Sequence, residues 1–393
     1  MNRIRQEDAP TFFVPLESLR GLAALVVVVY HAVWSNPVTA LRFFQNGALM
    51  VDLFFVLSGF VMFHSYGRKL GSFADVARFL WLRLGRLYPL HLAFLLVFLA
   101  FEFAKLVAEK QFGIVADKPA FTVNNGYSFI TNLLLIHSLG LHHSLTYNFP
   151  SWSISVEFYV YVLFAALRSL WSDDLRFAVV SILIIICSAA TLLLADIGPL
   201  TAAGFDWGFV RGCGGFFLGT LIYQIYSRVR SERAPEGAGR SSAWLSVLAL
   251  AGTMIFLSSV DPEGRWTYAL PLLAAAVILS VVLWPQPALT RLLSSGPLTW
   301  LGRVSYSLYM VHAAVAWVVT QVLTVILKFP KIELADGHGV VTPPGVGLVV
   351  LGAYVGIVLL LSHFTYHRIE EPFRRRSRRV AERWFLPAGA VQA

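Results

Sequence analysis

The chain has 393 residues, 57% of them hydrophobic and only 13% charged, with a mean hydropathy of +0.67. Soluble domains carry about 25% charged residues, so this composition excludes an ordinary soluble fold and predicts an integral membrane protein. The formal charge of +9 does not point to nucleic acid, because the basic residues gather in short connections between apolar runs, where they set membrane orientation.

Apolar runs long enough to span occur near 16–36, 44–66, 88–108, 151–171, 175–195, 206–227, 242–260, 266–285, 304–327 and 343–366. Each is about 19–25 residues, the length of a helix crossing a ~30 Å hydrocarbon core. A shorter run, 127–141, holds Asn132 and His137. Val38-Thr39-Ala40 would pass as a signal-peptide cleavage site, but the preceding run is long and holds His31 and Trp34, so the first helix is expected to be retained.

The connections 67–87, 228–240 and 286–303 and the tail from Arg368 onward are strongly basic, which puts all four on the cytoplasmic side. Between the first two, the chain must cross an even number of times. Runs 88–108, 151–171, 175–195 and 206–227 satisfy this, and 127–141 as a full span breaks it. The expected fold is therefore an all-α polytopic membrane helix bundle of ten spans, both termini cytoplasmic, with 127–141 as a short interfacial or re-entrant helix. Residues 1–376 form one membrane domain and 377–393 a cytoplasmic basic tail. The stretch 72–86, SFADVARFLWLRLGR, alternates apolar and basic residues at helical spacing and reads as an amphipathic helix on the cytoplasmic face. Residues 231–242 look like a linker. Cys187 and Cys213 lie in apolar segments and read as small core residues.

The first span, SLRGLAALVVVVYHAVW over 18–34, has Arg20 at its head and His31 inside the apolar run, roughly 16 Å apart along a helix axis. Ionisable groups at such depth are costly and are usually kept for function. With orientation fixed, His31, Asp52 and Glu157 fall on three helices at similar depth in the outer half of the membrane. A carboxylate bonded to one imidazole nitrogen fixes the tautomer and raises the basicity of the other, as a general base for a hydroxyl requires. Plainer roles stand beside these: helix packing for His31 and an interfacial anchor for Asp52. Glu157 has less excuse, since an unpaired carboxylate inside an apolar span is expensive.

On the cytoplasmic side, Arg20, Arg83, Arg86 and Arg303 lie at helix starts or in basic loops. Topology signalling or headgroup contact would explain most arginines of this kind. The spacing Arg83-Leu-Gly-Arg86 nevertheless places two guanidinium groups beside the next helix, suited to paired hydrogen bonds with phosphate. Tyr306 and His312 fall on the inner half of the ninth span, where lining a donor channel and simple packing are both open. Trp152 is either an interfacial belt residue or a platform for a sugar ring, with Ser153 beside it. Ser58 and Gly59 read as close helix packing. His137, His142 and His143 lack a well-spaced carboxylate or thiol and read as outer-loop contacts rather than a metal site.

Five motifs carry a resemblance: Arg20-x10-His31, VDLFFVLSGF from Val51 to Phe60, RLGRLYP from Arg83 to Pro89, SWSISVEF from Ser151 to Phe158, and YSLYMVH from Tyr306 to His312. They cover most of the chain, and in type and order they resemble acyltransferase family three, multi-spanning proteins that transfer acyl groups, often acetyl, to carbohydrate hydroxyls. The resemblance implies functional roles for Arg20, His31, Arg83, Arg86 and Glu157, with acyl-coenzyme A (acetyl-CoA) as donor; no metal is expected, for want of well-spaced ligands. It also suggests the stand-alone form, without the extra periplasmic esterase-like domain of many members.

The expected protein is an O-acyltransferase of the bacterial cytoplasmic membrane. Acyl-CoA enters from the cytoplasm, its phosphates on Arg83, Arg86 and Arg20, with Arg303, Tyr306 and His312 along its path. His31, steered by Glu157 or Asp52, takes the proton from a hydroxyl of an exported polysaccharide, lipopolysaccharide or glycolipid. The lipid bilayer is the other partner, nucleic acid is not, and a homo-oligomer is left open. The rival reading is a proton-coupled transporter or flippase with His31, Asp52 and Glu157 as a relay.

Overall fold

The computed structural model describes residues 13–114, 118–232, 243–334 and 337–385. Helix α1 spans Val14–Tyr30, α2 Arg42–Gln45, α3 Met50–Tyr66, α4 Phe73–Phe112 and α5 Gly126–Leu133. They are followed by α6 (Trp152–Leu170), α7 (Asp174–Leu194), α8 (Gly208–Glu232), α9 (Trp244–Ser259) and α10 (Leu270–Leu283). Two short helices, α11 (Pro287–Leu293) and α12 (Gly296–Arg303), lead into α13 (Ser305–Gln321). Helix α14 (Pro344–Thr365) continues through a π-helical turn at Tyr366–Glu370 into α15 (Glu371–Phe385). Among the described residues the sheet is one antiparallel pair, β1 (Lys331–Leu334) with β2 (Gly337–Val340), Lys331 opposite Val340.

This is an all-α membrane bundle. Seven helical rods are long and apolar enough to cross a membrane: those containing α3, α4, α6, α7, α10, α13 and α14 with α15. The other three expected spans form α1, α8 and α9. Of these α1 and α9 have 17 and 16 residues, and α8 carries Arg211 within its apolar stretch. The 127–141 run forms the eight-residue α5 and an irregular segment. That helix is too short to cross. It is tied down by Tyr88 Oη donating to the Leu133 carbonyl at 3.0 Å and by His91 Nε2 bonded to the Asn132 carbonyl at 2.9 Å.

Three expectations change. Helix α1 ends at Tyr30 rather than running on to 36, because the next residues turn to pair with β2: the Val340 amide donates to Val33 and the Ser35 amide to Val340, both at 2.9 Å. The amphipathic stretch 72–86 and the span 88–108 are one 40-residue helix, α4. A Ser72–Asp75 capping box starts it, Gly113 at φ 65° ends it, and Pro89 sits inside it. At 1.5 Å per residue it is about 60 Å long, some twice the apolar thickness of a bilayer. Its first half is braced by α15, where Trp81 Nε1 donates to the Ser377 carbonyl at 3.0 Å. Finally, Cys213 is buried as expected but Cys187 is exposed on α7. The linker at 231–242 and the end of the tail, 386–393, fall largely outside the described residues.

The tightest crossing is α3 on α8. A Cβ placed on Gly59 would lie 1.9 Å from the Phe216 carbonyl oxygen, and one on Gly219 would lie 2.0 Å from that of Val56. Only hydrogen fits at both positions, so the two backbones touch, the usual way membrane helices gain dispersion contact. Phe60, Phe164, Phe177, Phe216 and Phe217 fill the core around this crossing and are fully buried.

Candidate active site

Helix α1 is held against α12 by a second glycine pair, Gly21 on Gly302, where a Cβ on Gly21 would come 2.6 Å from the Gly302 amide nitrogen. This approach delivers Arg20 to the start of α13. Its Nε donates to Ser305 Oγ at 2.9 Å and its Nη2 to the Gly302 carbonyl at 3.1 Å. Arg83 and Arg86, three residues apart, share one face of α4. Arg83 Nη2 donates to Tyr66 Oη at 3.2 Å, and the guanidinium lies 5.2 Å from the Tyr66 ring centre. Its Nε is buried without a hydrogen-bond partner.

These three arginines line one narrow cavity of about 100 Å³ inside the bundle, with Glu157, Tyr161 and Tyr306 on its other walls. Glu157 Oε1 accepts from Ser58 Oγ at 2.8 Å and also from Tyr161 Oη, and Ser58 and Tyr161 bond each other at 2.7 Å. Three guanidinium groups therefore face one carboxylate in the cavity wall. Guanidinium groups that line a cavity present paired donors, which suit phosphate oxygens best. Two further carboxylates lie within electrostatic reach but outside the cavity lining: Glu17 Oε1 is 3.7 Å from Arg20 Nη2, and Glu370, buried near Arg86, accepts from Ser307 Oγ at 2.8 Å.

Tyr306 and Tyr309, on successive turns of α13, line the cavity. Tyr306 Oη donates to the Leu87 carbonyl at 2.5 Å across Pro89's turn of α4. Tyr309 Oη donates to the Pro150 carbonyl at 3.0 Å and bonds Ser153 Oγ at 2.9 Å, so Ser153 and Tyr309 together close one end. One turn further along α13 is His312, fully buried, its ring 5.7 Å from that of Tyr309 and 4.9 Å from that of His31. His31 caps α1 and is part-exposed, and its Nδ1 is 2.9 Å from the Val27 carbonyl. A carbonyl only accepts, so Nδ1 carries the proton and Nε2 of the neutral ring presents a lone pair. Phe149 packs on the His31 ring at 5.0 Å.

The residues expected from sequence thus divide. Arg20, Arg83, Arg86, Glu157, Ser153 and Tyr306 meet at one cavity. His31 and His312 form a pair beyond Tyr309, and His312 does not line the cavity. Neither carboxylate steers His31: its tautomer is set by the Val27 backbone, because Glu157 is engaged by Ser58 and Tyr161. Asp52 is taken by Arg211, with Nε to Oδ1 at 2.9 Å and Nη2 to Oδ2 at 2.7 Å. Trp152 is not a sugar platform either, since it is buried and carries the Arg211 guanidinium 5.4 Å from its ring centre. Arg303 is exposed at the end of α12 and does not line the cavity. The contiguous His–Asp–Glu relay needed by a proton-coupled transporter is therefore not assembled.

Ser58, read from sequence as a packing residue, is instead a ligand of Glu157. Tyr161, Tyr309 and Arg211 were not singled out. The first two had a signal, lying one helical turn from Glu157 and His312 respectively. Arg211 had a stronger one, because a lone arginine inside an apolar span needs an acidic partner. The histidines of the segment after α5 are separated: His137 Nε2 pairs with Ser151 Oγ at 3.1 Å and His142 Nε2 with Thr131 Oγ1 at 2.7 Å. Among the described residues no three His, Cys, Asp or Glu side chains are grouped to hold a metal ion.

The chain is 26% identical over 393 residues to YrhL of Bacillus subtilis (strain 168), whose name assigns it provisionally as a peptidoglycan O-acetyltransferase; the match covers 94% of this chain and 57% of YrhL. It is 28% identical over 304 residues to BcsY of Komagataeibacter xylinus, provisionally named a membrane-bound transacylase, covering 76% of this chain and 71% of BcsY. It is 22% identical over 384 residues to the peptidoglycan O-acetyltransferase OatA of Listeria monocytogenes, covering 92% of this chain and 56% of OatA. The chain thus spans little more than half the length of YrhL and OatA. No solved structure matches it. The acyltransferase domain pattern matches residues 14–363, from the first turn of α1 to the last turn of α14, and so takes in the arginine cavity and the histidine pair together: the chain belongs to acyltransferase family three.

Proposed function

We propose that this acyltransferase moves an acyl group, most simply acetyl, from acyl-CoA on the cytoplasmic side to a hydroxyl of an exported polysaccharide, lipopolysaccharide or glycolipid. The observation that carries this reading is the convergence of Arg20, Arg83 and Arg86 on one cavity with a single carboxylate in its wall. The phosphates of the donor would sit on these guanidinium groups, and its thin pantetheine arm would run along Tyr306 and Tyr309 toward His31. Arg20 and His31, roughly 16 Å apart along α1, mark the two ends of that path. His31, with Nε2 unprotonated, then takes the proton of the acceptor hydroxyl. Carbohydrate acceptance is supported by the names of YrhL and OatA.

The proposed arrangement in the inner membrane has ten crossings, both termini and the basic connections cytoplasmic, with residues 1–376 as one catalytic domain and 377–393 as a basic tail. Helices α1, α8 and α9 cross as parts of the packed bundle despite their length or charge. Inverted membrane vesicles containing the full chain, given radiolabelled acetyl-CoA, are expected to place label in the vesicle glycan, and His31→Ala vesicles none. Equal labelling in the two would sink the reading, as would substrate-dependent proton flux without any acyl donor.

A further inference from the structure

We propose that His312 is a second catalytic residue, donating a hydrogen bond to the thioester carbonyl oxygen while His31 acts on the acceptor hydroxyl. The inference rests on the acyl-transfer reading above and deepens it.

Tyr306, Tyr309 and His312 are spaced by three residues and follow one another on consecutive turns of α13. The first two line the arginine cavity, and the third meets the ring of His31 at 4.9 Å. Neither histidine lines that cavity, so an acyl chain that enters among the arginines reaches His312 and His31 by passing the Ser153–Tyr309 contact that closes its end. His312 is fully buried, yet neither of its ring nitrogens makes a hydrogen bond; the acceptors near it are the Leu308 and Tyr309 carbonyls of its own preceding turn. A buried polar group left unsatisfied in this way calls for a ligand that completes it. No carboxylate is bonded to either histidine, so the pair lacks the usual acid partner of a single-histidine base.

The two rings divide the work. The proton of the acceptor O–H passes to His31 Nε2 as the oxygen bonds to the acyl carbon. The carbonyl π electrons move to oxygen, where the N–H of neutral His312 meets the developing negative charge. On collapse the C–S bond breaks, and the coenzyme A thiolate takes the proton from His31, which restores both rings and leaves an ester and a thiol.

The full chain in vesicles, with radiolabelled acetyl-CoA as donor and the vesicle glycan as acceptor, tests this. His312→Ala is expected to lower the maximal labelling rate roughly hundred- to thousand-fold, the usual loss for one such donor, with the half-saturating acetyl-CoA concentration nearly unchanged. His312→Gln retains an N–H donor of similar reach and is expected to recover about tenfold over Ala, which a merely space-filling role would not give. A rate for His312→Ala above about a third of wild type overturns the proposal, as does equal loss in the Gln and Ala variants at normal protein level. Should His31→Ala label the glycan normally, the acyl-transfer reading itself fails, a separate outcome.

Discussion

Asp52 on α3 and Arg211 on α8 join face to face through two hydrogen bonds, 2.9 and 2.7 Å, with side chains 1% and 2% exposed. Arg211 also donates to the Ala203 carbonyl at 3.2 Å and lies over Trp152, so α3, α8 and the turn before α8 meet at one buried guanidinium. Coulomb attraction inside a low-dielectric bundle barely offsets the desolvation of both ions, but either ion alone is strongly unfavourable. The pair ties the α3–α8 crossing together at the end where α3 begins.

Removing one partner is therefore expected to cost about 3–5 kcal/mol. Asp52→Ala should lower the thermal midpoint of the detergent-solubilised protein sharply, whereas the double variant Asp52→Leu/Arg211→Met should recover most of the loss. A normally stable Asp52→Asn protein without acyl transfer would instead return Asp52 to the chemistry.

The glycine contact at the same crossing predicts a second stability effect. Gly59→Val or Gly219→Val drives a side chain into a carbonyl oxygen 1.9–2.0 Å from where its Cβ must go. Since the backbones have no slack, the helices must separate and lose their contact. Size-exclusion profiles of the solubilised variants are expected to show little monodisperse protein, and Gly252→Val on α9, with nothing within 4 Å, should behave as wild type.

The cavity arginines predict a donor-specific defect. A charge-assisted hydrogen bond contributes about 1.5–3 kcal/mol, so Arg83→Ala or Arg86→Ala should raise the half-saturating acetyl-CoA concentration at least roughly tenfold. Arg303→Ala should change it less than about twofold, because that side chain is exposed and away from the cavity. Arg83→Lys is expected to rescue only partly, since a point charge cannot reproduce a paired guanidinium contact.

Glu157 predicts coupling within its own cluster. Tyr161→Phe removes one of the two hydroxyls bonded to Oε1, and Ser58→Ala the other. Each should lower stability by about 1–3 kcal/mol, with the double variant less than additive because Ser58 and Tyr161 also bond each other. A thermal-shift cycle over the four proteins measures the coupling, and strict additivity would count against a shared network.

Much of the fold was legible because it is governed by local quantities. Run length and loop charge located the helices, and the short 127–141 run indeed forms only an eight-residue helix. What misled was continuity: Pro89 at the junction marks a helix boundary by local rules, yet the amphipathic stretch and the span that follows run through it as one rod. The end of α1 was equally invisible, because it depends on strand-like pairing with residues some 300 positions away, recorded by the Ser35–Val340 bond.

By itself the sequence determined a helical membrane bundle, the basic connections, and which ionisable residues lie inside apolar runs. It also ordered those residues by depth, since rise per residue is constant along a helix. Tertiary structure alone decided who pairs with whom, because depth says nothing of rotation about each helix axis. Rotation turned Asp52 toward Arg211, Glu157 toward Ser58 and Tyr161, and His31 toward His312. Close backbone contacts at Gly21 and Gly59 fix the rotations of α1 and α3, and they exist only once the helices have packed.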